Sequence, residues 1–451
     1  MNLSDLISLF AKNGAIKLYA KTLAENDNSK NQIYFAGAVE TLNVFPSSQI
    51  FAENTAQGPS FKAKLNFGWL LEDGRVAPAP NAQLILYAQY PEVRFSGFLQ
   101  GCECAPSKLM ADRGRASSFP HELQAQLKGR VLFLGVTADR RVVGFVAPGG
   151  SIIAKEFLAG EFQTAFVVFK DVPLPNVDDE EHSKTKLLAE LIRINSLGWI
   201  KSKQLDGNGI ISPCNASQCG GFTLEAELNI PKNSDAEPDF LGWEVKQYAV
   251  GNFEKIETSK PITLFTPEPD AGFYRENDFA DFMHKFGYAD KNGKPDRLNF
   301  GGRHFVGQKC PATGLTMHLA GYDIPSGRIT DAGGCIALIN TAGDVAASWS
   351  FGKILEHWSL KHSKAVYVPS NCRYEPERQY RYGHKVRLAQ QTDGLRLLRA
   401  FATGTMYYDP GIKLEEVSSA KPKPKKRSQF RVSAKNLPAL YEVVETVCLL
   451  H

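Results

Sequence analysis

Two carboxylates and one amine lie close together in the stretch from Pro238 to Lys246. Asp239 precedes Glu244 by five residues, and Glu244 precedes Lys246 by two. Side chains two apart in an extended strand share a face, so Glu244 and Lys246 would point the same way. Carboxylates are the hard oxygen ligands that magnesium prefers, and an adjacent ammonium can orient a water molecule or meet the charge that develops on a phosphorus centre. Together these residues would suit metal-assisted cleavage of a phosphodiester.

This chemistry requires a buried strand that begins close to Glu244. Trp243 and Val245 alternate with Glu244 and Lys246, so we expect the two apolar side chains to face a core. Asp239 lies before the strand and can reach the other two groups only if the chain bends between them. A half-buried strand with a solvated Glu and Lys is the competing interpretation, because an acid-x-Lys strand alone is common.

Several short blocks around this strand resemble those of a known family. The strand resembles the PD-(D/E)xK nuclease motif, and its surroundings over roughly residues 183–451 are similar to the MvaI/BcnI family of restriction endonucleases. In the order of that family, the blocks are Leu197–Ile200, Gly207–Ile210, Thr223–Glu225, Thr263–Thr266, Ser348–Phe351 and Gln429–Val432.

The resemblance implies an α/β catalytic domain in which helices flank a mixed central sheet that carries the active site. It implies a type II restriction endonuclease that cleaves double-stranded DNA, with Mg2+ held by Asp239 and Glu244 and the attacking hydroxide positioned by Lys246. It aligns Glu225 with a helical glutamate near the metal, although the nearby Glu227 leaves this register open. It further implies a monomer that nicks the two strands in turn at a short pseudosymmetric CC-N-GG site, beside a DNA methyltransferase for the same site.

Two other functions remain open for the same residues. A strand-nicking repair endonuclease of the MutH type shares the active-site logic. A DNA-binding regulator could carry an inactive nuclease core, although the intact Asp/Glu/Lys set speaks against it.

Cationic residues after the strand are candidates for contacts to DNA. Arg303 and His304 follow a Gly-Gly bend that could present them to a groove, and a plain surface histidine is the alternative for His304. Five of the seven residues in 421–427 are cationic. Lys425 and Lys426 in this basic segment could lie on phosphates.

The resemblance also implies residues that read bases. By resemblance, Asp409, Lys413 and Arg431 occupy the family's major-groove recognition region. Asp can accept a hydrogen bond from cytosine N4, and Arg can fork onto guanine O6 and N7. The family has Arg where Lys413 or its neighbours stand, so the position of Lys413 departs from the pattern.

The first part of the chain predicts a separate, mainly β domain. Short strand-like stretches predict a barrel-like domain within residues 1–172, then a linker rich in Pro and Asp over 173–180 and the catalytic domain over 181–451. The stretch from Ala15 to Glu25 predicts a helix. Arg94, between two predicted strands, could contact DNA from a loop, which would make this domain an effector or tether. A solvated loop is the alternative.

Composition sets the outer limits. A chain of 451 residues with 43% hydrophobic and 22% charged residues is typical of two or three globular domains. A net charge of +4 requires any DNA-binding surface to be local. Apolar runs long enough to span a membrane and a signal peptide are both absent, which predicts a cytoplasmic protein. The eight scattered cysteines predict reduced thiols, without zinc-ribbon spacing.

Overall fold

The chain forms two compact units, Met1–Glu180 and Glu181–His451. Residues 176–179 of the predicted linker lie outside the described residues. The computed structural model describes residues 1–24, 32–36, 44–56, 58–87, 92–110, 120–166, 168–175, 180–216, 218–232, 238–256, 260–291, 293–362 and 364–450.

The first unit is built mainly of strands. One sheet has the strand order β11-β12-β1-β9-β10-β5-β6, and a second has the order β2-β8-β7-β4-β3. The predicted mainly β character is therefore confirmed. The elements are α1 (Leu3–Lys12), β1 (Ala15–Thr22), β2 (Ile33–Ala36), β3 (Ser47–Thr55), β4 (Gly58–Leu65), β5 (Phe67–Leu70), β6 (Val76–Pro78), β7 (Gln83–Tyr87), β8 (Glu92–Ser96), α2 (Ser107–Met110), α3 (His121–Leu127), β9 (Val131–Thr137), β10 (Val142–Ala147), α4 (Ile152–Ala159), β11 (Thr164–Phe166) and β12 (Phe169–Asp171).

The predicted helix from Ala15 to Glu25 is wrong, because this stretch forms β1. Leu18 and Ala20 alternate with more exposed residues and lie in the core of the unit. β1 pairs with β9 along most of its length and with β12 at its end. These nonlocal partners outweigh the local helix propensity of the stretch.

The second unit mixes helices with several small sheets, and it is α/β as predicted. Its elements are α5 (Glu180–Ser196), β13 (Ile200–Lys201), β14 (Lys203–Leu205), β15 (Ile211–Pro213), α6 (Cys219–Glu227), β16 (Glu244–Ala249), β17 (Ile262–Phe265), α7 (Phe273–Glu276), α8 (Phe279–Phe286), β18 (Tyr288–Ala289), β19 (Arg297–Gly301), β20 (Thr316–Ala320), β21 (Tyr322–Asp323), β22 (Arg328–Ile329), β23 (Cys335–Ile339), β24 (Val345–Ser350), α9 (Phe351–Lys361), β25 (Lys364–Arg373), β26 (Gln379–Tyr382), β27 (Lys385–Gln390), α10 (Gly394–Ala402), β28 (Met406–Tyr408), β29 (Gly411–Glu415), β30 (Lys423–Lys425), β31 (Phe430–Val432), a 3-10 helix (Ala434–Leu440) and β32 (Val443–Cys448).

A six-stranded mixed sheet forms the centre of this unit. Its order is β13-β26-β25-β27-β32, with β16 added beside β25. β16 runs parallel to β25, so that Glu244 lies opposite Ala365 and Lys246 opposite Tyr367. The other pairs in the sheet are antiparallel.

The core of the second unit lies against one face of this sheet. Leu187, Leu191 and Ile194 of α5 pack there with Trp243 and Val245 of the β16 region. The predicted inward direction of Trp243 and Val245 is therefore confirmed. Strand alternation then places Glu244 and Lys246 on the opposite face of β16.

Cys214 and Cys219 are joined by a disulfide, so the expectation of reduced thiols is wrong for this pair. The chain between β15 and α6 brings their Cα atoms to 5.7 Å, which lies within the distance that a disulfide requires. Among the described residues, no helix is both long and apolar enough to cross a membrane.

Candidate active site

A tight turn precedes β16 and returns the chain toward it. The Phe240 N–H donates to the Trp243 carbonyl at 2.9 Å, and the Trp243 N–H donates back at 2.8 Å. The two residues between them, Leu241 and Gly242, have φ angles of 48° and 83°. This pattern is a two-residue type I′ turn, which requires positive φ at both central positions. Gly242 adopts that conformation freely, whereas Leu241 is strained there.

This turn places Asp239 beside the first residues of the strand. Asp239 Oδ2 accepts a hydrogen bond from the Val245 N–H at 2.9 Å. Lys246 Nζ donates to Glu244 Oε1. The Glu244 side chain is 1% exposed and that of Lys246 is 22% exposed, so the pair opens to solvent on the lysine side. The bend that the sequence required is therefore present.

Three carboxylates act on the Lys246 amine. Burial by itself would lower the pKa of Lys246, but Glu244, then Asp239 and Glu225, more than offset burial and raise this pKa above its ordinary value. Lys246 is therefore an ammonium at neutral pH. It can donate hydrogen bonds to a water molecule or an anionic oxygen, but it cannot take a proton.

The structure separates the two glutamates of α6 that the sequence left open. Glu227 pairs with Lys203 at 2.6 Å and with Arg193 at 3.5 Å. Glu225 instead lies within electrostatic reach of Lys246. Of the two, Glu225 belongs to the cluster around β16.

The acids of the cluster fit a divalent cation that takes few protein ligands. Mg2+ is usually bound by one or two carboxylates and completes its shell with water and substrate phosphate oxygens. Asp239 and Glu244 supply hard oxygen donors, and a carboxylate that accepts one N–H still has lone pairs for another partner. Within the described part of the chain, no group of three or more His, Cys, Asp or Glu is arranged to hold a metal. Two carboxylate donors match the small number of protein ligands that Mg2+ usually takes.

A second group of polar residues gathers on the small sheet formed by β17, β31 and β28. Arg431 Nη1 donates to Asp409 Oδ2 at 2.8 Å, and Arg431 Nε donates to Thr263 Oγ1 at 3.1 Å. The Arg303 guanidinium lies 5.6 Å from the centre of the Tyr407 ring. Burial raises the pKa of Tyr407, Arg303 and Arg431 lower it and Asp409 raises it, so all three charged groups interact electrostatically with this tyrosine.

Sequence reasoning missed Tyr407 and did not assign a role to Thr263. Thr263 lies opposite Arg431, and Arg431 lies opposite Tyr407, across three strands that are distant in sequence. No local pattern indicates this pairing.

The other predicted cations lie in a neighbouring sheet. Lys413 on β29 pairs across strands with Lys425 on β30. Lys425 is exposed and contacts Glu415 at 2.6 Å. The exposed Lys426 ammonium lies 4.9 Å from the centre of the Phe279 ring. The edge strand β30 therefore displays its cations to solvent, with the prolines of the basic segment between them.

Two of the predicted DNA contacts do not stand as the sequence indicated. His304 is fully buried, and its Nε2 lies 2.8 Å from Thr313 Oγ1. The segment after Gly302 is extended, so Arg303 points to solvent and the next side chain points inward. Arg94 lies in strand β8 rather than in a loop, and its Nη2 pairs with Glu92 at 2.9 Å.

A match to a known protein family agrees with the nuclease interpretation. The family model described as the MvaI/BcnI restriction endonuclease family matches residues 188–441. Solved structures that resemble the chain include MvaI bound to cognate DNA (18% identity, TM-score 0.42, 59% of this chain and 98% of that one). They also include MvaI without DNA (17% identity, TM-score 0.31, 60% and 99%). No curated protein sequence matches the chain. Because the family model covers more than half of the residues, the chain belongs to the MvaI/BcnI restriction endonuclease family and is a type II restriction endonuclease.

Proposed function

We propose that this enzyme cleaves double-stranded DNA in a Mg2+-dependent reaction at a short pseudosymmetric site of the CC-N-GG form, nicking one strand and then the other. The observation that carries the proposal is the convergence of Asp239, Glu244 and Lys246 at the start of β16. Lys246 pairs with Glu244 while Asp239 is fixed to the backbone of the same strand.

The role of each residue follows from its surroundings. Asp239 and Glu244 would hold the cation, and Glu225 would lie at the edge of the same cluster. A bound Mg2+ would neutralise charge on the scissile phosphate and lower the pKa of a water molecule. Lys246, held as an ammonium, orients the attacking hydroxide by hydrogen bonding. The attack would be in line and would leave 5′-phosphate and 3′-hydroxyl ends.

Base recognition is proposed for the group around Tyr407. Asp409 and Arg431 carry the acceptor and the forked donor that cytosine and guanine require. Their mutual ion pair limits the rotamers of both side chains before DNA binds. The Arg303 guanidinium lies over the same tyrosine ring, and Lys413, Lys425 and Lys426 would contact phosphates.

Supercoiled plasmid tests the proposal directly. With Mg2+ the enzyme should give nicked and then linear DNA with defined ends, and Asp239→Asn should give neither while still binding the plasmid. Run-off sequencing of the ends identifies the site. Cleavage by Asp239→Asn in Mg2+ would contradict the assignment. A nicked product that never becomes linear would favour the repair-type activity.

The first unit is proposed as a tether to a second DNA site. It forms a compact unit with a hydrophobic core of its own. Removal of residues 1–175 should lower cleavage of two-site DNA more than of one-site DNA, and an equal loss on both would contradict tethering. We also propose that the enzyme acts as a monomer, which sedimentation of the purified protein would test. We further propose that a methyltransferase protects the same site in the host, which cleavage assays on methylated DNA would test.

A further inference from the structure

A chain of buried polar side chains lies on the active-site face of the central sheet. The Tyr367 hydroxyl lies 2.7 Å from the Tyr441 hydroxyl, which lies 2.9 Å from His362 Nδ1. His362 Nε2 lies 3.3 Å from the Leu264 carbonyl oxygen. All three side chains are at most 2% exposed. The proposed cleavage mechanism uses none of them.

The hydrogen-bond directions along this chain follow from the tautomer of His362. A carbonyl oxygen only accepts, so we assign the imidazole proton to Nε2 and an accepting role to Nδ1. In this assignment the Tyr441 hydroxyl donates to His362, and the Tyr367 hydroxyl donates to Tyr441. Both hydroxyl protons are then directed toward His362. The His362 ring is itself held by Trp358, whose ring stacks on it at 4.1 Å.

The same tyrosines interact electrostatically with the Glu244 carboxylate. Tyr367 is the cross-strand partner of Lys246 in the parallel pair, so its side chain lies on the sheet face that carries Lys246 and Glu244. Burial raises the pKa of the Tyr367 hydroxyl, the hydrogen bond with Tyr441 partly offsets this rise, and Glu244 adds to it. Burial also raises the pKa of Tyr441, where Tyr367 and then Glu244 add to the effect. Both hydroxyls are therefore within electrostatic reach of this carboxylate.

We propose that His362 and Tyr441 are positioning residues that hold the Tyr367 hydroxyl proton away from Glu244 and so keep this carboxylate available to the divalent cation. The inference rests on the proposed role of Glu244 as a metal ligand. Without the Tyr441 oxygen, the buried Tyr367 hydroxyl needs another acceptor, because an unpaired buried donor is costly. Glu244 is the nearby charged acceptor. A hydrogen bond from Tyr367 would then compete with the cation for a Glu244 oxygen.

Two similar substitutions should therefore differ in their effect on Mn2+ binding. Tyr441→Phe removes the acceptor and should weaken Mn2+ binding to the full-length protein about tenfold, the lower end of the usual effect of a residue behind a metal ligand. Tyr367→Phe removes the competing donor, so its Mn2+ affinity should stay within about twofold of the wild type. The double variant should also bind Mn2+ like the wild type, although it lacks both hydroxyls.

Titration calorimetry with Mn2+ measures these affinities without DNA, and the Mg2+ concentration at half-maximal plasmid cleavage provides a second readout. Tyr322→Phe is the matched control, because Tyr322 is a buried tyrosine of the β21–β22 hairpin whose hydroxyl bonds Arg399 of α10. If Tyr441→Phe does not fold, His362→Leu should have the same effect on Mn2+ affinity. His362→Asn, which keeps an acceptor near the Nδ1 position, should restore it.

The outcomes separate this inference from the proposed function. Wild-type Mn2+ affinity in Tyr441→Phe, or a double variant as weak as Tyr441→Phe, overturns the positioning role alone. A wild-type protein that neither binds Mn2+ nor cleaves DNA in Mg2+ overturns the proposed metal chemistry and this inference with it.

Discussion

Replacing Lys246 by methionine tests the electrostatic balance of the active site. The change keeps the length of the side chain but removes the Lys246 ammonium from the buried Glu244 carboxylate and from the nearby Asp239 and Glu225. Removing one partner of a buried ion pair costs about 3–5 kcal/mol. The Lys246 side chain is 22% exposed, so solvent screens part of this loss. We therefore expect the free energy of unfolding of the second unit to fall by about 3 kcal/mol at pH 7, near the lower limit for such pairs.

Urea unfolding at pH 7, fitted with separate transitions for the two units, measures this loss. Lys203→Met is the matched control, because its partner Glu227 still pairs with Arg193 after the substitution. This variant should therefore lose less than about 1 kcal/mol of unfolding free energy. The raised pKa of Lys246 sets the sign of the pH dependence. The difference in unfolding free energy between the wild type and Lys246→Met should be complete below the ordinary lysine pKa of about 10.4. It should decrease as the pH rises through the folded-state pKa of Lys246. Equal losses in both variants, or plasmid cleavage by Lys246→Met, would refute the reasoning.

Four further changes test other parts of the molecule. Gly242→Ala should lower the unfolding free energy by about 1 kcal/mol in urea, because φ is 83° there and no atom lies near the added Cβ. Burial lowers the pKa of Lys21 to about 8, so Lys21→Met should stabilise the first unit by about 2 kcal/mol at pH 7, and this gain should disappear as pH rises past about 10.4. Reducing the Cys214–Cys219 disulfide should lower the free energy of unfolding by about 2 kcal/mol, measured by comparing urea unfolding in the presence and absence of a phosphine reductant. Arg431→Lys keeps the charge but loses the fork, so competition binding should show about 1–3 kcal/mol less preference for cognate DNA.

The cluster at the start of β16 was predictable because its members are close in sequence. Asp239, Glu244 and Lys246 lie within eight residues, and the alternation of Trp243 and Val245 with the polar residues predicts which face is buried. The sequence also required a bend, although not its geometry. A type I′ turn with leucine at a positive φ is an unlikely choice from composition, since Asn or Gly usually takes that position.

Errors arose where a distant partner decides the local structure. The stretch from Ala15 to Thr22 is a strand because β9 and β12 lie on either side of it. His304 is buried because its segment pairs with Tyr408, which turns alternate side chains inward. Cys214 and Cys219 are instead close in sequence, and the bridge between them depends on how β15 leads into α6. The partners of β1 and of the His304 segment cannot be identified from spacing in the chain.

The residues proposed for cleavage are close in sequence, whereas those proposed for base recognition are brought together by the fold. The groups proposed for cleavage are contiguous and fixed by one turn and one strand, so a substitution there should change the rate at every site. The groups proposed for base reading are joined by contacts such as Arg431 to Thr263, which spans 168 residues. Their positions depend on the packing of β17, β31 and β28, so a change in that sheet can alter which bases are read while the cluster on β16 stays intact. The positioning chain behind Glu244 is equally nonlocal, because His362 and Tyr441 are 79 residues apart. The residues proposed for specificity and for metal affinity can therefore be identified only from the fold, whereas Asp239, Glu244 and Lys246 are close enough in sequence to be proposed from it.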